Sequence, residues 1–330
     1  MLKIEYYLYS LIPRFRLNRV TGETPREGAL LRVTWPDGRV GYGDCFPWPE
    51  FGDLPIQKQI EDLRKGRLSK ILEQTIWLAQ KDAELRRDKY SGLKDVRKIK
   101  NHFSVTDYRL LTDMALDEIK NKRFTSIKVK LGQDPLVEAE FIVKTLKKNP
   151  YLSFRVDFNG NDDFAAFEKF AEAIPQNLRE YIEFVEDPVP YDVDLWVRAG
   201  KYFPLAIDFE IDKVDFSQRN HPFQVIILKP ARQDVSKILN FANECDLKLV
   251  VTSSMDHPVG IVHALRVASE IRQKFPGRLA DCGCLTQHLY WPDDFTKELA
   301  MQGPSLVQVK GYGIGFDKLL SALPWIPVSP

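Results

Sequence analysis

SIKVK at residues 126–130 opens a series. FRVDF (154–158), IEFVED (182–187), LAIDF (205–209), FQVIILK (223–229) and LKLVVTSS (247–254) follow it, each a short apolar run closing on polar or charged residues. HFSVT (102–106) precedes the series and RLADCGCLT (278–286) ends it. Most of these runs are too short for a helix and are bounded by turn residues, the mark of strands with both faces covered. Between most of them lie amphipathic stretches such as PLVEAEFIVKTLKK (135–148) and FAAFEKFAEAI (164–174), whose apolar spacing fits helices laid on a sheet. Eight runs recurring at about 20 to 30 residues predict a closed parallel β/α barrel. An open doubly wound sheet is the alternative, but it normally carries a Gly-rich phosphate loop after its first strand, and none stands there. The glycines of GYGIGF (311–316) have no βαβ unit after them and read as a tight turn.

On the amino-terminal side, KIEYYLYSLI (3–12) and ALLRVTWPDGRVGYGD (29–44) read as strands, with Pro36-Asp37-Gly38 turning between two β-rich runs. From Ile56 to about Ala83 the apolar residues Ile60, Leu63, Leu68, Ile71, Leu72, Ile76 and Leu78 fall at helical spacing. An α+β module therefore spans residues 1–97, the charged stretch from Lys81 to Lys100 is its linker, and the barrel occupies 98–310. The tail, 311–330, is expected to return to the amino-terminal module.

Lys plus Arg (47) and Asp plus Glu (46) nearly cancel, so no global field recruits nucleic acid or an anionic membrane. Apolar and charged usage is that of a globular protein, and no run is long enough to span a bilayer. The amino terminus, broken by Lys3, Glu5 and Arg14, lacks a signal-peptide core, so a cytoplasmic location is expected. Cys45, Cys245, Cys282 and Cys284 are too few and scattered for a disulfide framework; Cys282 and Cys284 read as buried small residues rather than zinc ligands. The five histidines show no metal-ligand spacing and read as structural or surface residues.

Function must then reside in a site. On a strand, Lys128 and Lys130 point to one face while Ile127 and Val129 point to the other, which sends both ammonium groups into the barrel. Two like charges in a partly dry site destabilise each other, so at least one lysine should have a depressed pKa and serve as a base. The next three runs each end near a carboxylate: Asp157, Glu186 and Asp208. Three acids from neighbouring strand ends repel unless a cation joins them, and all-oxygen ligation favours Mg²⁺, with Mn²⁺ as the alternative. Lys229, ending the run that follows that of Asp208, is placed across the barrel from Lys128 and Lys130. A metal between opposed lysines suits removal of a proton next to a carboxylate, with the enediolate charge held by the metal.

K-V-K (128–130), D-F-N (157–159), V-E-D-P (185–188), I-D-F-E (207–210) and L-K-P (228–230) stand in the order and spacing of the enolase superfamily, and the chain resembles its muconate-lactonizing subgroup over nearly its whole length. The resemblance implies a modified (β/α)7β TIM-type barrel with an α+β capping domain, and places residues 16–23 and 46–53 in two mobile substrate loops. Through GYGDCFPWPEFGD (41–53) and SSMDHPVG (253–260) the chain is most similar to the o-succinylbenzoate synthase family. That implies dehydration of 2-succinyl-6-hydroxy-2,4-cyclohexadiene-1-carboxylate in menaquinone biosynthesis. Lys130 is then the base of a syn elimination, Lys128 tunes it, Lys229 stabilises the anionic intermediate, and Ser253 and Ser254 hold the succinyl end, with Asn159 as a further substrate contact.

N-acylamino acid racemase and dipeptide epimerase remain open within the superfamily, although Asp281-Cys282-Gly283 stands where epimerases commonly carry D-x-D. The chain also departs from the family's adjacent Asp-Glu-Ser, having Asp208-Phe209-Glu210; alternation would put both acids on one face, and Asp208 is chosen as ligand. A Schiff-base aldolase would need one desolvated lysine but no convergent carboxylates. A non-catalytic metal-binding protein on this fold is the reading from a different class. The partner in all enzymatic readings is a small-molecule carboxylate, and the sequence carries no signature of an oligomeric state.

Overall fold

Three strands, β1 (Lys3–Leu11), β2 (Arg26–Thr34) and β3 (Val40–Cys45), pair antiparallel, and the β2–β3 turn closes with Gly38 N–H donating to Trp35 O at 2.9 Å. The computed structural model describes residues 2–18, 21–91, 96–160 and 163–328. Two helices, not one, carry the helical period over 56–83: α1 (Ile56–Arg64) and α2 (Lys70–Arg87). The first ends where Gly66 adopts φ 69°, a conformation that costs glycine little. The second starts on Ser69, whose hydroxyl accepts from Leu72 N–H at 3.3 Å. Helix α2 also runs into the charged stretch read as linker. Its Lys, Arg and Glu are good helix formers on a wet face, while Leu78, Ala79, Asp82 and Ala83 are buried.

The parallel strands are β4 (Phe103–Val105), β5 (Ser126–Lys130), β6 (Ser153–Asp157), β7 (Ile182–Glu186), β8 (Leu205–Ile207), β9 (Val225–Leu228) and β10 (Lys248–Val251), adjacent in sequence order. Helices α3 (Asp113–Asn121), α4 (Pro135–Lys148), α5 (Phe164–Ala173), α6 (Val193–Ala199), α7 (Val235–Glu244) and α8 (Pro258–Lys274) follow the first four and the last two of them in turn, while β8 is followed by a short 3-10 turn. Asp134, Asp163, Asp192 and Asp234 cap α4 to α7, each side chain accepting a backbone N–H of the first turn, which explains why the chain leaves strand geometry so sharply there.

The eighth run, 278–286, is a correction: it closes the barrel through single bridges rather than as a regular strand. Gly283 N–H donates to Val251 O at 2.9 Å on one side, and His102 N–H to Cys282 O at 2.8 Å on the other. Two cysteines and a glycine give it little of the β-branched bulk that sustains a ladder. The alternation is plain in the packing. Phe184, Ala206, Val225, Ile227 and Val250 fill the barrel interior, while Val185, Ile207, Ile226, Leu228 and Leu249 join the core under the helices.

Beyond the barrel come α9 (Asp294–Lys297), the hairpin β11 (Ala300–Gln302) and β12 (Ser305–Gln308), α10 (Asp317–Ala322) and β13 (Ile326–Pro327). The last strand pairs with β1, giving the sheet order β13-β1-β2-β3. Among the described residues no helix is long and apolar enough to cross a membrane, and the four cysteines are free thiols.

The cap sheet meets the barrel at α8, where His263 Nε2 lies 2.8 Å from Tyr42 O. Burial, the largest influence, holds this imidazole down to about 4. Its folded pKa thus lies below the unfolded value of about 6.5, so the stability it supports is complete above about pH 6.5 and falls as pH drops toward 4, by about 3 kcal/mol. Urea unfolding of His263→Gln at pH 7.5 and pH 5 is expected to show a smaller acid loss than the unsubstituted chain; equal losses would refute this.

Candidate active site

A cavity of about 700 Å³ opens at the carboxyl ends of the barrel strands, lined by Lys128, Lys130, Asp157, Asn159, Asp208, Lys229, Ser253 and Ser254 from the barrel and by Trp48, Glu50, Phe51 and Asp53 from the cap. The register explains the gathering. Lys130 stands opposite Asp157, and Asp157 opposite Glu186, so β5, β6 and β7 finish at one level.

Within this group the charges are paired. Lys128 Nζ donates to Glu186 Oε1 at 2.6 Å and lies 2.9 Å from Asp157 Oδ2, and Lys229 Nζ is paired with Asp208. Burial works against the Lys128 charge, but Asp157, Glu186 and Asp208 outweigh it and hold the ammonium above the ordinary lysine range. Lys130 goes the other way. Burial pulls it below that range; Asp157 opposes this, and Lys128 and Lys229 reinforce it. Like-charge repulsion alone, the cause inferred from sequence, is therefore the smaller part. The polar contact made by Lys130 among the described residues is Asn159 Oδ1, 3.5 Å away.

The acids differ as well. Burial raises Asp157, yet Lys128 and Lys130 overcome it and keep its carboxyl low. Glu186 is pushed up, by burial first and then by the Asp157 charge. Its Oε2 is buried with no hydrogen-bond partner among the described residues. Among the described residues no three His, Cys, Asp or Glu side chains stand together as a ready ligand set, because ammonium groups are interposed. The donors nevertheless fit a hard divalent cation: three carboxylates at consecutive strand ends, each already facing positive charge, and one oxygen lacking a partner.

Glu210 does not share a face with Asp208. Strand β8 ends at Ile207, and the chain turns at once, so the alternation assumed from sequence does not extend that far. Glu210 Oε2 accepts from Tyr191 N–H at 2.5 Å and Oε1 pairs with Lys213 at 2.6 Å. Ser253 and Ser254 also differ from one another. Ser253 Oγ is 2.8 Å from Thr286 Oγ1, whereas Ser254 Oγ is buried and unpartnered among the described residues. The loop 46–53 packs on the rim: Trp48 Nε1–H donates to Ser254 O at 3.1 Å, and Asp53 forms two hydrogen bonds with Arg232 at 2.8 and 3.0 Å. Of the other loop, Asn18 lines the cavity, while residues 19 and 20 lie outside the described residues.

A relative from Bdellovibrio bacteriovorus, an o-succinylbenzoate synthase, is 44% identical over 326 residues, 98% of each chain. This chain belongs to the o-succinylbenzoate synthase family. A family model described as the N-terminal domain of O-succinylbenzoate synthase matches residues 4–85, the cap. In fold the chain is similar to a mandelate racemase/muconate lactonizing protein from Herpetosiphon aurantiacus, with TM-score 0.76, 17% identity and 94% and 96% of the two chains covered. It is similar also to a dipeptide epimerase from Cytophaga hutchinsonii, solved with Mg and the dipeptide D-Ala-L-Val, with TM-score 0.75, 17% identity and 99% of both chains covered. The barrel and cap thus share the fold of these two proteins.

Several supporting residues of this family member escaped the sequence reading. Asp187 accepts from the N–H groups of Asp208 (3.0 Å) and Phe209 (2.9 Å) and so fixes the turn that aims Asp208. Glu138, buried on α4, accepts from Gly132 and Gln133 N–H at 2.8 and 2.9 Å and shapes the loop after Lys130. Arg155, only 2% exposed, lies two residues before Asp157 on the inward face. A charged residue inside an apolar strand, in phase with a candidate ligand, was the signal available for it.

Proposed function

We propose that Lys130 takes the proton next to the carboxylate of 2-succinyl-6-hydroxy-2,4-cyclohexadiene-1-carboxylate, and that the chain makes o-succinylbenzoate by loss of water. The observation that carries this is the inequality of the three lysines: Lys128 and Lys229 are ion-paired, while Lys130 is buried, held below the ordinary range and paired with no carboxylate among the described residues. A burial-weakened ammonium is what lets a lysine serve as base toward a weakly acidic carbon.

Lys130 accepts the α-proton as the carbon–carbon double bond forms, and the ring hydroxyl leaves on the same face, taking that proton away as water. Lys128, kept charged, holds Asp157 and Glu186 in place and adds positive charge beside the reacting carboxylate. Lys229 presents a second ammonium from β9. Asp157, Glu186 and Asp208 would hold Mg²⁺, whose bound charge would stabilise the second negative charge developing on the substrate carboxylate. An epimerase needs a neutral base on each face of the carbon, and the pairing of Lys229 with Asp208 disfavours that second base.

Turnover of the cyclohexadiene carboxylate, followed by ultraviolet absorbance with Mg²⁺ and again with excess chelator, tests the reading. Activity is expected with the metal and to fall by at least about 100-fold without it. No turnover in either condition would overturn the dehydratase assignment and direct the search to racemisation of N-acylamino acids and dipeptides.

A further inference from the structure

The floor of the cavity contains a histidine that the reaction above does not use. His102 precedes β4 and is 2% exposed. In β-strand alternation it faces the cavity with Ser104 and Thr106, while Phe103 turns outward onto Phe124, with ring centroids 5.3 Å apart. Arg155 Nη1 lies 2.8 Å from His102 Nδ1. A guanidinium has only donors, so Nδ1 must accept and the ring proton must reside on Nε2. Arg155 is itself fixed, donating from Nε to Glu183 at 2.6 Å and from Nη1 to Asp281 O at 2.6 Å, with its guanidinium 5.0 Å from the Phe184 ring centroid. The tautomer is set by a group that cannot swing away.

The opposite edge of the ring faces Gly283. A Cβ there would fall 2.4 Å from His102 Cε1 and 2.5 Å from Nε2, so no larger residue fits beside this imidazole. Burial first, then the charges of Arg155 and Lys128, hold the ring well below the ordinary histidine range, leaving it neutral. Its Nε2–H makes no hydrogen bond among the described residues, and His102 lines the cavity, so this donor is open to a ligand there. In the closed barrel β4 lies across from β8, so this donor sits away from Asp208 and on the side of Gly283, which Thr252 Cγ2 also approaches.

We propose that His102 is a specificity-determining residue whose Nε2–H donates to an oxygen of the substrate's side chain, the keto-acid arm remote from the reacting carboxylate. The inference rests on the dehydratase reading and names a contact for the arm that distinguishes this substrate from a plain ring carboxylate. Arg155 is its positioning residue, acting through the ring.

Binding of o-succinylbenzoate and of benzoate, measured calorimetrically on the Mg²⁺-loaded protein and on His102→Leu and His102→Gln, tests it. His102→Leu is expected to weaken o-succinylbenzoate by about 30-fold, leaving benzoate within about 2-fold, as for loss of one well-placed hydrogen bond. His102→Gln, which retains an amide N–H at similar reach, is expected to recover most of the loss. In the dehydration assay the defect is expected in KM more than in kcat. Equal losses for both ligands, or none in His102→Leu, would overturn the role of His102 while the dehydratase reading stood. Failure of the unsubstituted protein to bind o-succinylbenzoate would overturn both. Should His102→Leu misfold, ¹⁵N imidazole spectra of the unsubstituted protein decide the matter: an Nε2–H tautomer whose proton shifts on adding o-succinylbenzoate but not benzoate is expected, and an unmoved resonance would refute the contact.

Discussion

Lys130→Ala is expected to lower kcat by about 10³- to 10⁴-fold while the folded protein, its melting temperature and its metal affinity stay close to those of the parent. Lys130 ends β5, where Ile127 and Val129 carry the packing and Lys130 meets only Asn159 at 3.5 Å, so truncation removes a reagent rather than a structural tie. Lys128→Ala is a different experiment. That change leaves Asp157 and Glu186 facing each other without the ammonium 2.9 and 2.6 Å away, and metal affinity and stability should change together with rate. Rapid-quench measurement of the single-turnover rate, beside circular dichroism and metal titration, separates the two. A Lys130→Ala enzyme retaining more than about a tenth of the parent rate would exclude Lys130 as the base, since general-base removal costs at least about 100-fold.

The reason the gathering of Lys130 with the carboxylates was legible in the sequence is geometric. A period of two fixes which side chains share a face, and serial strand ends fix which residues share a rim, so the lysines and carboxylates could be assembled from spacing alone. Alternation ends with the strand: Glu210 was given to the Asp208 face by carrying it past Ile207 into a turn. The missing strand geometry at 278–286 has the same origin. Its apolar content identified a barrel element, but ladder regularity depends on neighbours that one sequence does not display. Arg155, Asp187 and Glu138 work through tertiary contacts with His102, the Asp208 turn and the 132–133 backbone, and no local period encodes such partners. The break between α1 and α2, by contrast, was available at Lys65-Gly66 and was passed over in favour of a continuous apolar period.

Asp82→Ala is expected to destabilise the protein by about 3 to 5 kcal/mol, the range for stripping one partner from a buried charged network. Asp82 is 1% exposed on α2. Its Oδ2 accepts from Tyr42 N–H at 3.0 Å and from Arg86 Nε at 2.6 Å, and its Oδ1 accepts from Ile314 N–H at 2.8 Å. Arg86 continues the knot, donating to Asp317 at 2.6 Å and to Gly315 O at 2.8 Å, with its guanidinium 4.7 Å from the Tyr42 ring centroid. One carboxylate thus joins β3, α2 and the returning tail, where the cap sheet takes up β13. Asparagine cannot substitute: it offers one acceptor oxygen where two are used, and its amide hydrogens would face donors. Arg86→Ala should share the loss, so the double variant is expected to fall short of the summed single effects by about 1 to 3 kcal/mol. Equilibrium urea unfolding of the four proteins measures this, and additive effects would show that the two side chains act separately. Because loop 46–53 leaves β3 directly and carries Trp48 and Asp53 to the cavity rim, loosening this knot should also raise KM in the surviving folded fraction before it lowers kcat.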